Sequence, residues 1–263
     1  MSDSQAMQTA PPVGELRGCI SHYWLSRDNC HDTHAVLPDG AVDVVFALGR
    51  SGLQTTVYGT TTARTDLMLE PDAHYLGIRF RPGQSRWFLE VSAAELRDRC
   101  VPADGLWPGW TTEVAAAVMA NGDWAALDRM LFSLRSCRYR AGARIDQVIE
   151  HIGALHGRVR ISDLGTMAGV GQRQFERQFM DSVGVPPKQY AEILRFRRAL
   201  TLVTRTTTPL AHIAADVGYA DQSHLTRQFA RLAGLSPARA RRYVGFVQDD
   251  PGVDQNNQES INP

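Results

Sequence analysis

A motif that occurs twice within residues 162–237 constrains the fold of this chain more than any other feature. Each copy contains an apolar segment that ends in glycine, a short turn, and a segment rich in Arg and Gln with two apolar residues four positions apart. The last of these apolar residues, Phe179 and Phe229, are 50 positions apart. Two copies are too few for a solenoid of stacked repeats, so the sequence predicts a duplicated helix-turn-helix.

The second copy has the local signals that such a unit needs. Gly218 suits the left-handed conformation that commonly ends a helix, and Asp221 can accept a hydrogen bond from a backbone N–H at the start of the next helix. On that next helix Leu225 and Phe229 share one face, which we expect to be buried. At about 100° per residue, Arg227 then points away from that face.

The first copy repeats this pattern, with Phe175 and Phe179 on the buried face and Arg173 and Arg177 on the outward face. An outward face rich in Arg, Gln and Ser suits base edges and phosphates. The alternative is that both faces are ordinary solvated helix surfaces. The repeat itself favours the DNA-binding interpretation, because it is hard to obtain by accident.

The second copy also carries a longer signature, which consists of Gly218-Tyr219, Asp221-Gln222-Ser223-His224-Leu225 and Gly234-Leu235-Ser236-Pro237. This pattern resembles the AraC/XylS family of bacterial transcription regulators, whose DNA-binding domain is two helix-turn-helix units joined by a long helix. The resemblance covers residues 145–244, a little over a third of the chain. The first copy departs from it at Gly171, where the family commonly has a Ser cap.

The resemblance implies that outward residues near the start of each recognition helix meet bases in the major groove. The matching positions are Arg173, Glu176 and Arg177 in the first copy, and Gln222, Ser223, His224 and Arg227 in the second. Contacts to the DNA backbone are assigned to Gln172, Gln174, Arg195 and Arg198. The partners that the resemblance implies are a double-stranded DNA operator and RNA polymerase, and activation is the commoner role in the family.

The charges are unevenly distributed, although the formal net charge of the chain is zero. Residues 1–140 carry 13 Arg and 16 acidic residues, a formal charge of −3. Residues 141–247 carry 14 Arg, one Lys and 8 acidic residues, a formal charge of +7, and the four other acidic residues follow them. The basic segment is the one that contains the repeat, as a DNA-binding surface requires.

Short segments rich in β-branched residues, separated by turn signals such as Pro38-Asp39-Gly40, dominate the N-terminal part. The strands are predicted near residues 20–25, 42–46, 55–58 and 75–80. Helices follow Gly83, the first with a capping box from Ser92 to Glu95. The predicted fold class is therefore α+β: a small N-terminal β-barrel or sandwich with following helices, then an all-α domain of two helix-turn-helix units joined by a long helix.

The N-terminal half resembles the effector and dimerisation half of many AraC/XylS regulators. Two motifs carry this resemblance, Leu37-Pro38-Asp39-Gly40 and Arg79-Phe80-Arg81-Pro82-Gly83, and the ligands of this variant are largely unassigned. Asp39, Arg79 and Arg81 are the candidate effector-binding residues, although on alternating strands some of them must face solvent. The resemblance implies a sensor or assembly module, and it allows for a small-molecule effector and a homodimer.

These signals divide the chain into four parts. Residues 1–12 are predicted to be a disordered tail, residues 13–140 the β-rich effector and dimerisation domain, residues 141–247 the double helix-turn-helix domain, and residues 248–263 an acidic disordered tail. The boundary between the two domains falls in Arg140-Ala141-Gly142-Ala143, which has the composition of a linker.

Four histidines in the β-rich half raise an alternative function, a metal-dependent or ligand-modifying enzyme domain fused to a DNA-binding domain. These residues are His22, His31, His34 and His74. A site of two His and one carboxylate needs ligands that converge, and the spacing of His31 and His34 differs from that of a cupin metal motif. The sequence also lacks a nucleophile-elbow motif and a phosphate-binding loop. We therefore expect no enzymatic activity, no cofactor and no bound metal.

The four cysteines, at positions 19, 30, 100 and 137, lack paired spacing and predict reduced thiols. No apolar stretch approaches the ~18 residues of a membrane-spanning helix. The polar N-terminus lacks the apolar core of a signal peptide. The sequence therefore predicts a cytoplasmic protein with no membrane partner.

Overall fold

The structure is a computed structural model, and it describes residues 7–27, 29, 31–103, 112–135 and 143–242. The strands are β1 (Gln8–Ala10), β2 (Ile20–Ser26), β3 (Thr33–Val36), β4 (Val42–Gly49), β5 (Gly52–Tyr58), β6 (Thr65–Met68), β7 (His74–Phe80) and β8 (Cys100–Pro102). The helices are α1 (Ala93–Leu96), α2 (Thr112–Asn121), α3 (Trp124–Leu134), α4 (Arg144–Ala154), α5 (Ile161–Ala168), α6 (Gln172–Val183), α7 (Pro187–Arg205), α8 (Leu210–Val217), α9 (Gln222–Ala233) and α10 (Pro237–Arg242). The predicted α+β class is confirmed, with the strands in the N-terminal half and helices throughout the C-terminal half.

Within the described residues, the strands form a six-stranded sheet in the order β1-β2-β7-β4-β5-β8 and a two-stranded sheet of β3 and β6. All pairings are antiparallel among the described strands. β7 lies between β2 and β4, and β4 and β5 form a hairpin that closes at Gly49 and Gly52. Antiparallel sheets of this kind can bury one face and leave the other open to other elements.

The alternation of side chains along β7 explains how the larger sheet forms its core. Leu76, Ile78 and Phe80 are fully buried, as expected when every second side chain points to the same face. Leu127 and Leu131 of α3 belong to the same hydrophobic cluster. The helices that follow the sheet therefore cover its apolar face.

Tyr23 on β2 holds α3 against the sheet. Its hydroxyl donates a hydrogen bond of 2.9 Å to Asp128 Oδ1, and its ring stacks on Trp124 with 6.0 Å between the centroids. Burial, together with Asp128, raises the pKa of Tyr23, so the hydroxyl remains a donor at neutral pH. Asp128 also accepts a hydrogen bond from the backbone N–H of Val13 at 3.2 Å.

Helix α7 is the central element of the C-terminal half. Ile193, Phe196, Leu200 and Val203 recur at helical spacing and form its buried stripe. The helix begins at Pro187, where the missing N–H costs nothing because the first turn has no intrahelical acceptor for it. Residues of α4, α5, α6, α8, α9 and α10 belong to the same hydrophobic cluster as this stripe.

A loop of the N-terminal half, residues 60–64, contacts both helix-turn-helix units, and we name it the threonine loop. The hydroxyl of the buried Thr60 donates a hydrogen bond of 2.7 Å to the carbonyl oxygen of Val183, at the end of α6. The backbone N–H of Arg64 donates a hydrogen bond of 2.9 Å to the carbonyl oxygen of Leu232, near the end of α9. One loop therefore holds the C-terminal ends of both helices.

A buried polar network joins the end of the sheet to α4. The carboxylate of Asp146 on α4 accepts a hydrogen bond of 2.9 Å from the Gln84 amide and one of 2.5 Å from the Arg86 guanidinium. Asp146 is 5% exposed. A buried carboxylate without partners would be costly, so these two donors account for its position at the boundary between the halves.

Two glycines allow the N-terminal half to approach the C-terminal helices closely. A Cβ atom on Gly83 would lie 2.5 Å from Cδ1 of Ile149, and one on Gly40 would lie 2.5 Å from Cε2 of Tyr190. Both glycines have positive φ angles, of 80° and 83°. Leu37, three residues before Gly40, is buried in the hydrophobic cluster of the C-terminal helices. The two halves therefore share part of one core.

Four strands were not predicted, namely β1, β3, β6 and β8. The prediction of a disordered tail over residues 1–12 is wrong at β1, because Gln8–Ala10 pairs with β2. Backbone hydrogen bonds to a neighbouring strand order this polar segment, and its composition alone does not reveal them. Residues 1–6 and the predicted acidic tail at 248–263 lie outside the described residues.

Most of the predicted linker lies outside the described residues, and so do Cys30 and Cys137. Residues 140–142 are not described, and Ala143 is the residue before α4. The domain boundary there stays a prediction. Of the cysteines, Cys19 is buried and Cys100 is exposed, and both are free thiols. No helix in the described part of the chain has the length and apolarity needed to cross a bilayer.

Thr60→Val should lower the free energy of unfolding of the full chain by about 1–3 kcal/mol, because it leaves the buried carbonyl of Val183 without its donor while preserving side-chain volume. Urea denaturation measures the change. Thr61→Val, in the same loop, is the matched control, and it should change stability by less than about 0.5 kcal/mol. Equal effects of the two substitutions would contradict the role assigned to Thr60.

Candidate nucleic-acid interface

The first helix-turn-helix consists of α5, a short turn and α6. Gly169 ends α5 with φ of 69°, the left-handed conformation that a glycine adopts without strain. Gly171 precedes α6 in an extended conformation, and no side chain caps the helix. On α6, Phe175 and Phe179 are fully buried, with 5.7 Å between their ring centroids. The burial of this stripe fixes which face of α6 points outward.

The second helix-turn-helix consists of α8, a turn and α9. Gly218 ends α8 with φ of 84°, and Asp221 Oδ1 accepts a hydrogen bond of 2.6 Å from the backbone N–H of His224. Leu225 and Phe229 are fully buried. The predicted Gly218 and Asp221 signals are therefore confirmed. The second recognition helix has an N-cap that the first lacks, as expected from the presence of glycine at position 171.

Most of the residues assigned to bases lie on the solvent-exposed faces of α6 and α9. The exposed members are Arg173, Glu176, Arg177, Gln222, Ser223 and Arg227, and the backbone-assigned Gln172 and Gln174 are exposed as well. The two faces thus present guanidinium, amide and hydroxyl groups, which are the groups that read base edges and bind phosphates.

Two of the assigned residues have partners that the sequence did not suggest. Glu176 accepts a hydrogen bond of 2.8 Å from the amide of Gln172, one helical turn earlier. His224 is half-buried, and its ring lies edge-on against Tyr219 with 5.1 Å between the centroids. Burial raises the pKa of Tyr219 to about 12. His224 therefore contributes to packing at the turn as well as to the outward face.

The two arginines assigned to the DNA backbone on α7 lie in different surroundings. Arg195 is half-buried, and its Nε atom is buried without a hydrogen-bond partner in the described part of the chain. Its charge acts on Tyr219, which places it beside the second helix-turn-helix. Arg198, one helical turn later, borders residues of the N-terminal half.

Arg198 lines a cavity of about 430 Å³ between the halves, which we name the arginine cavity. Its charged lining residues are Asp39, Arg79, Arg81, Asp146, Glu150, Arg197, Arg198 and Arg205. The structure thus brings the three candidate effector-binding residues, Asp39, Arg79 and Arg81, to one site. Arg79 forms salt bridges to Asp39 and to Asp43, the latter at 3.0 Å.

Sequence reasoning missed the contributions of α7 to this cavity and the contacts of the threonine loop. Arg197, Arg198 and Arg205 follow a helical periodicity that predicts one shared face, but the sequence does not say which element covers it. No local sequence pattern indicates the role of Thr60, because its hydrogen bond joins two residues that are 123 positions apart.

In the described ranges, no group of three or more His, Cys, Asp or Glu side chains could hold a metal ion. His22 is buried beside the hydroxyl of Ser21, and burial lowers the pKa of His34.

Comparison with known proteins separates the two halves in the same way as the fold does. Residues 164–243 match a family described as a helix-turn-helix domain, and residues 8–102 match a domain of unknown function, DUF6597. LumQ of Photobacterium leiognathi, a probable transcriptional regulator, is 30% identical over 115 residues, which are 44% of this chain and 46% of LumQ. RclR of Escherichia coli, an RCS-specific HTH-type transcriptional activator, is 32% identical over 105 residues, which are 40% of this chain and 36% of RclR. The C-terminal half is therefore similar to helix-turn-helix transcriptional regulators, in line with its resemblance to the AraC/XylS family.

The chain matches less than half of the length of either relative. Among solved structures, the DNA-binding domain of AdpA in complex with a target DNA is 25% identical, with a TM-score of 0.37. The match covers 39% of this chain and 94% of that domain.

Gly171→Ser should raise the free energy of unfolding of the full chain by about 0.5 kcal/mol, because it adds a cap to α6 and restricts the unfolded chain. Position 171 has φ of −65° and ψ of 152°, and a Cβ atom there meets no other atom within 4 Å. Urea denaturation measures the effect. Asp221→Gly, the reverse change in the second copy, should lower stability by a few tenths of a kcal/mol, about 0.3. A destabilising Gly171→Ser would show that the turn cannot accept a side chain.

Proposed function

We propose that this protein is a sequence-specific DNA-binding transcriptional regulator that acts as an activator. The observation that carries the proposal is the pair of exposed Arg- and Gln-rich faces on α6 and α9, both attached to α7. The names of relatives such as LumQ and RclR support it. The chain would act in the cytoplasm, where bacterial DNA is, and we assign it no catalytic step.

The bases would be read by the outward residues near the start of each recognition helix. Arg173, Arg177 and Arg227 suit the O6 and N7 atoms of guanine, and Gln222 suits adenine. The other members of the set are Glu176, Ser223 and His224. Each well-placed bidentate contact is worth ~1–3 kcal/mol of discrimination against the wrong base. The two faces differ in sequence, so the two subsites need not be related by symmetry.

The DNA backbone would be contacted at the edges of these faces. Gln172 and Gln174 are exposed beside the first base-reading residues, and Arg195 lies beside the second unit. Such contacts fix the position of the protein on the duplex without carrying sequence information. Arg198, which lies in the arginine cavity, fits this role less well than the other three.

The length of α7 suits two successive major grooves on one face of the duplex. Its 19 residues span about 28 Å at ~1.5 Å per residue. One turn of B-DNA is ~34–36 Å, or ~10–10.5 bp. One monomer would therefore place its two recognition helices in subsites that are centred one helical turn apart.

The N-terminal half would supply regulation, through a small-molecule effector, a homodimer or both, and RNA polymerase would be the partner in activation. Its contacts to the ends of α6 and α9 through Thr60 and Arg64 support this role, because they reach both reading units. Any ligand effect on DNA binding must come from different ligand affinities in two states of the protein.

Arg173→Ala should relax the preference for particular base pairs in one subsite, and Arg227→Ala should do so in the other. The expected loss of discrimination is ~1–3 kcal/mol at the base pair concerned. Binding assays with a library of single-base operator variants measure this. Gln174→Ala, on the same helix as Arg173, is the control that should weaken binding to all sequences alike. If Arg173→Ala lowered the affinity for operator and random DNA equally, Arg173 would be a phosphate contact.

Insertion of about 5 bp, half a helical turn, between the two subsites should nearly abolish tight binding. The reason is that α7 holds the two recognition helices at one separation, so they cannot follow subsites that face opposite sides of the duplex. An insertion of ~10 bp restores the face but not the distance, and it should also weaken binding. Retained affinity after the half-turn insertion would mean that only one recognition helix engages at a time.

A further inference from the structure

The first recognition helix, α6, carries a carboxylate on the face that we assign to DNA. Glu176 is exposed there, beside the exposed Arg173 and Arg177. In the described part of the chain, it forms no ion pair with either arginine. A carboxylate repels the phosphates of DNA, so Glu176 is unsuited to a contact with the DNA backbone. A role in reading a base fits this residue better.

The side chain of Gln172 holds this carboxylate from one helical turn earlier. Its Nε2 atom donates a hydrogen bond of 2.8 Å to Oε1 of Glu176. Residues four apart lie on the same side of a helix, so such a pair forms within α6 itself. The other carboxylate oxygen, Oε2, accepts no hydrogen bond from any residue that the structure describes. It is therefore available to a donor on the DNA.

A glycine on α5 makes room for the Gln172 amide. Gly165 is buried, and a Cβ atom on it would lie 3.0 Å from Oε1 of Gln172. The next nearest atoms, the Val170 carbonyl oxygen and Gln172 Cα, would lie at the ordinary contact distances of 3.5 and 3.6 Å. Because an ionised carboxylate only accepts hydrogen bonds, the amide must turn Nε2 toward Glu176 and Oε1 toward Gly165. The amide is thus placed between α5 and Glu176.

The second copy keeps the glutamine but changes both of its neighbours. Gln222 corresponds to the glutamine of the first copy, whereas Ala214 replaces the glycine and Thr226 replaces the glutamate. The hydroxyl of Thr226 donates a hydrogen bond of 2.9 Å to the backbone carbonyl of Gln222. A glutamine that holds a carboxylate is therefore a property of the first unit and not of the second.

In the major groove, a carboxylate selects among bases by its need for a donor. Cytosine presents the donor N4 amino group there, without a neighbouring acceptor of its own. Adenine presents its N6 donor beside the acceptor N7, guanine presents the acceptors N7 and O6, and thymine presents the acceptor O4. Each of these acceptors repels a carboxylate. A carboxylate that is aimed into the groove therefore favours cytosine.

We propose that Gln172 is a positioning residue that aims Glu176 at a cytosine in the first subsite, and that phosphate contacts on α6 fall to Gln174 instead. The inference rests on the proposed DNA-binding function. A carboxylate that is already held in one orientation loses less conformational freedom when DNA binds. The second subsite has no matching requirement, because Thr226 replaces the glutamate there.

The test starts with an operator that the full chain selects from a random DNA library. The first subsite is the one whose base preference changes in Arg173→Ala. It should contain a G·C pair at which Glu176→Gln shifts the preference toward A·T, because a carboxamide suits the N6 and N7 atoms of adenine. Discrimination in favour of cytosine should fall about tenfold. An unchanged preference in Glu176→Gln would overturn the proposal.

Gln172→Ala should weaken discrimination at the same G·C pair, by about threefold, and should have no further effect in the Glu176→Ala background. A merely structural glutamine would not act on one base pair alone. Loss of preference at a different base pair would mean that Gln172 reads its own base, and equal weakening of all sequences would make it a phosphate contact. Either result would overturn the positioning role. Gln178→Ala, a half-buried position on the same helix, is the control and should leave every base preference unchanged.

Gly165→Ala changes the same hydrogen bond without altering either partner. The added methyl group would press on Oε1 of Gln172, so it should reduce the preference at the same G·C pair by a smaller factor than Gln172→Ala does. Alanine favours a helix more than glycine, so the variant should remain folded, which circular dichroism checks. Wild-type preference in folded Gly165→Ala would contradict the placement of the amide against α5.

The same binding assays separate failure of this inference from failure of the proposed function. If the full chain selects no operator and binds all DNA alike, the proposed function fails, and the inference fails with it. If Arg173→Ala and Arg227→Ala change base preferences while no substitution of Glu176 does, the chain reads DNA and only the positioning inference fails.

Discussion

The apolar stripe of α7 is the constraint on which the rest of the structure depends. Phe179 of α6 lies against Tyr190 near the start of α7, with 5.7 Å between ring centroids, and Phe229 of α9 lies against Phe196 at 5.1 Å. Both recognition helices therefore pack on the same helix. Protein interiors are close-packed, so neither recognition helix can shift along α7 without opening a void or causing a clash. The separation of the two outward faces is set by this packing more than by the turns that precede each helix.

The N-terminal half packs on the same helix, and it is therefore in contact with both helix-turn-helix units. Tyr190 contacts α6 through Phe179, and it also covers Gly40 of the N-terminal half. The threonine loop adds hydrogen bonds to the ends of α6 and α9. A change in how the halves dock would therefore alter the surroundings of both recognition helices at once. No long pathway is needed, because the elements concerned are in contact.

The part of the fold that local sequence patterns determine could be predicted, and the part that depends on contacts between distant residues could not. Three local features identify the two helix-turn-helix units, namely a motif that recurs 50 positions later, the left-handed Gly218 and the Asp221 cap. They can be recognised in the sequence because helical periodicity and capping act over a few residues. The same periodicity shows that Arg198 leaves the buried stripe of α7. It cannot show that residues of the N-terminal half border that side, and this is why the sequence favours a phosphate contact there. The short strands β3 and β6 have the same limitation, since they pair with each other across a long intervening segment of the chain.

The two motifs of the N-terminal half acquire a common explanation at this boundary. The segment 37–40 and the segment 79–83 each end in a glycine with positive φ that lies under a side chain of the C-terminal half. Between them, Arg79 is paired with Asp39 and Asp43, so much of its charge is already balanced within the N-terminal half. Both glycines make these contacts only when the halves are docked, so any event that shifts the docking equilibrium would be thermodynamically coupled to the surroundings of α7.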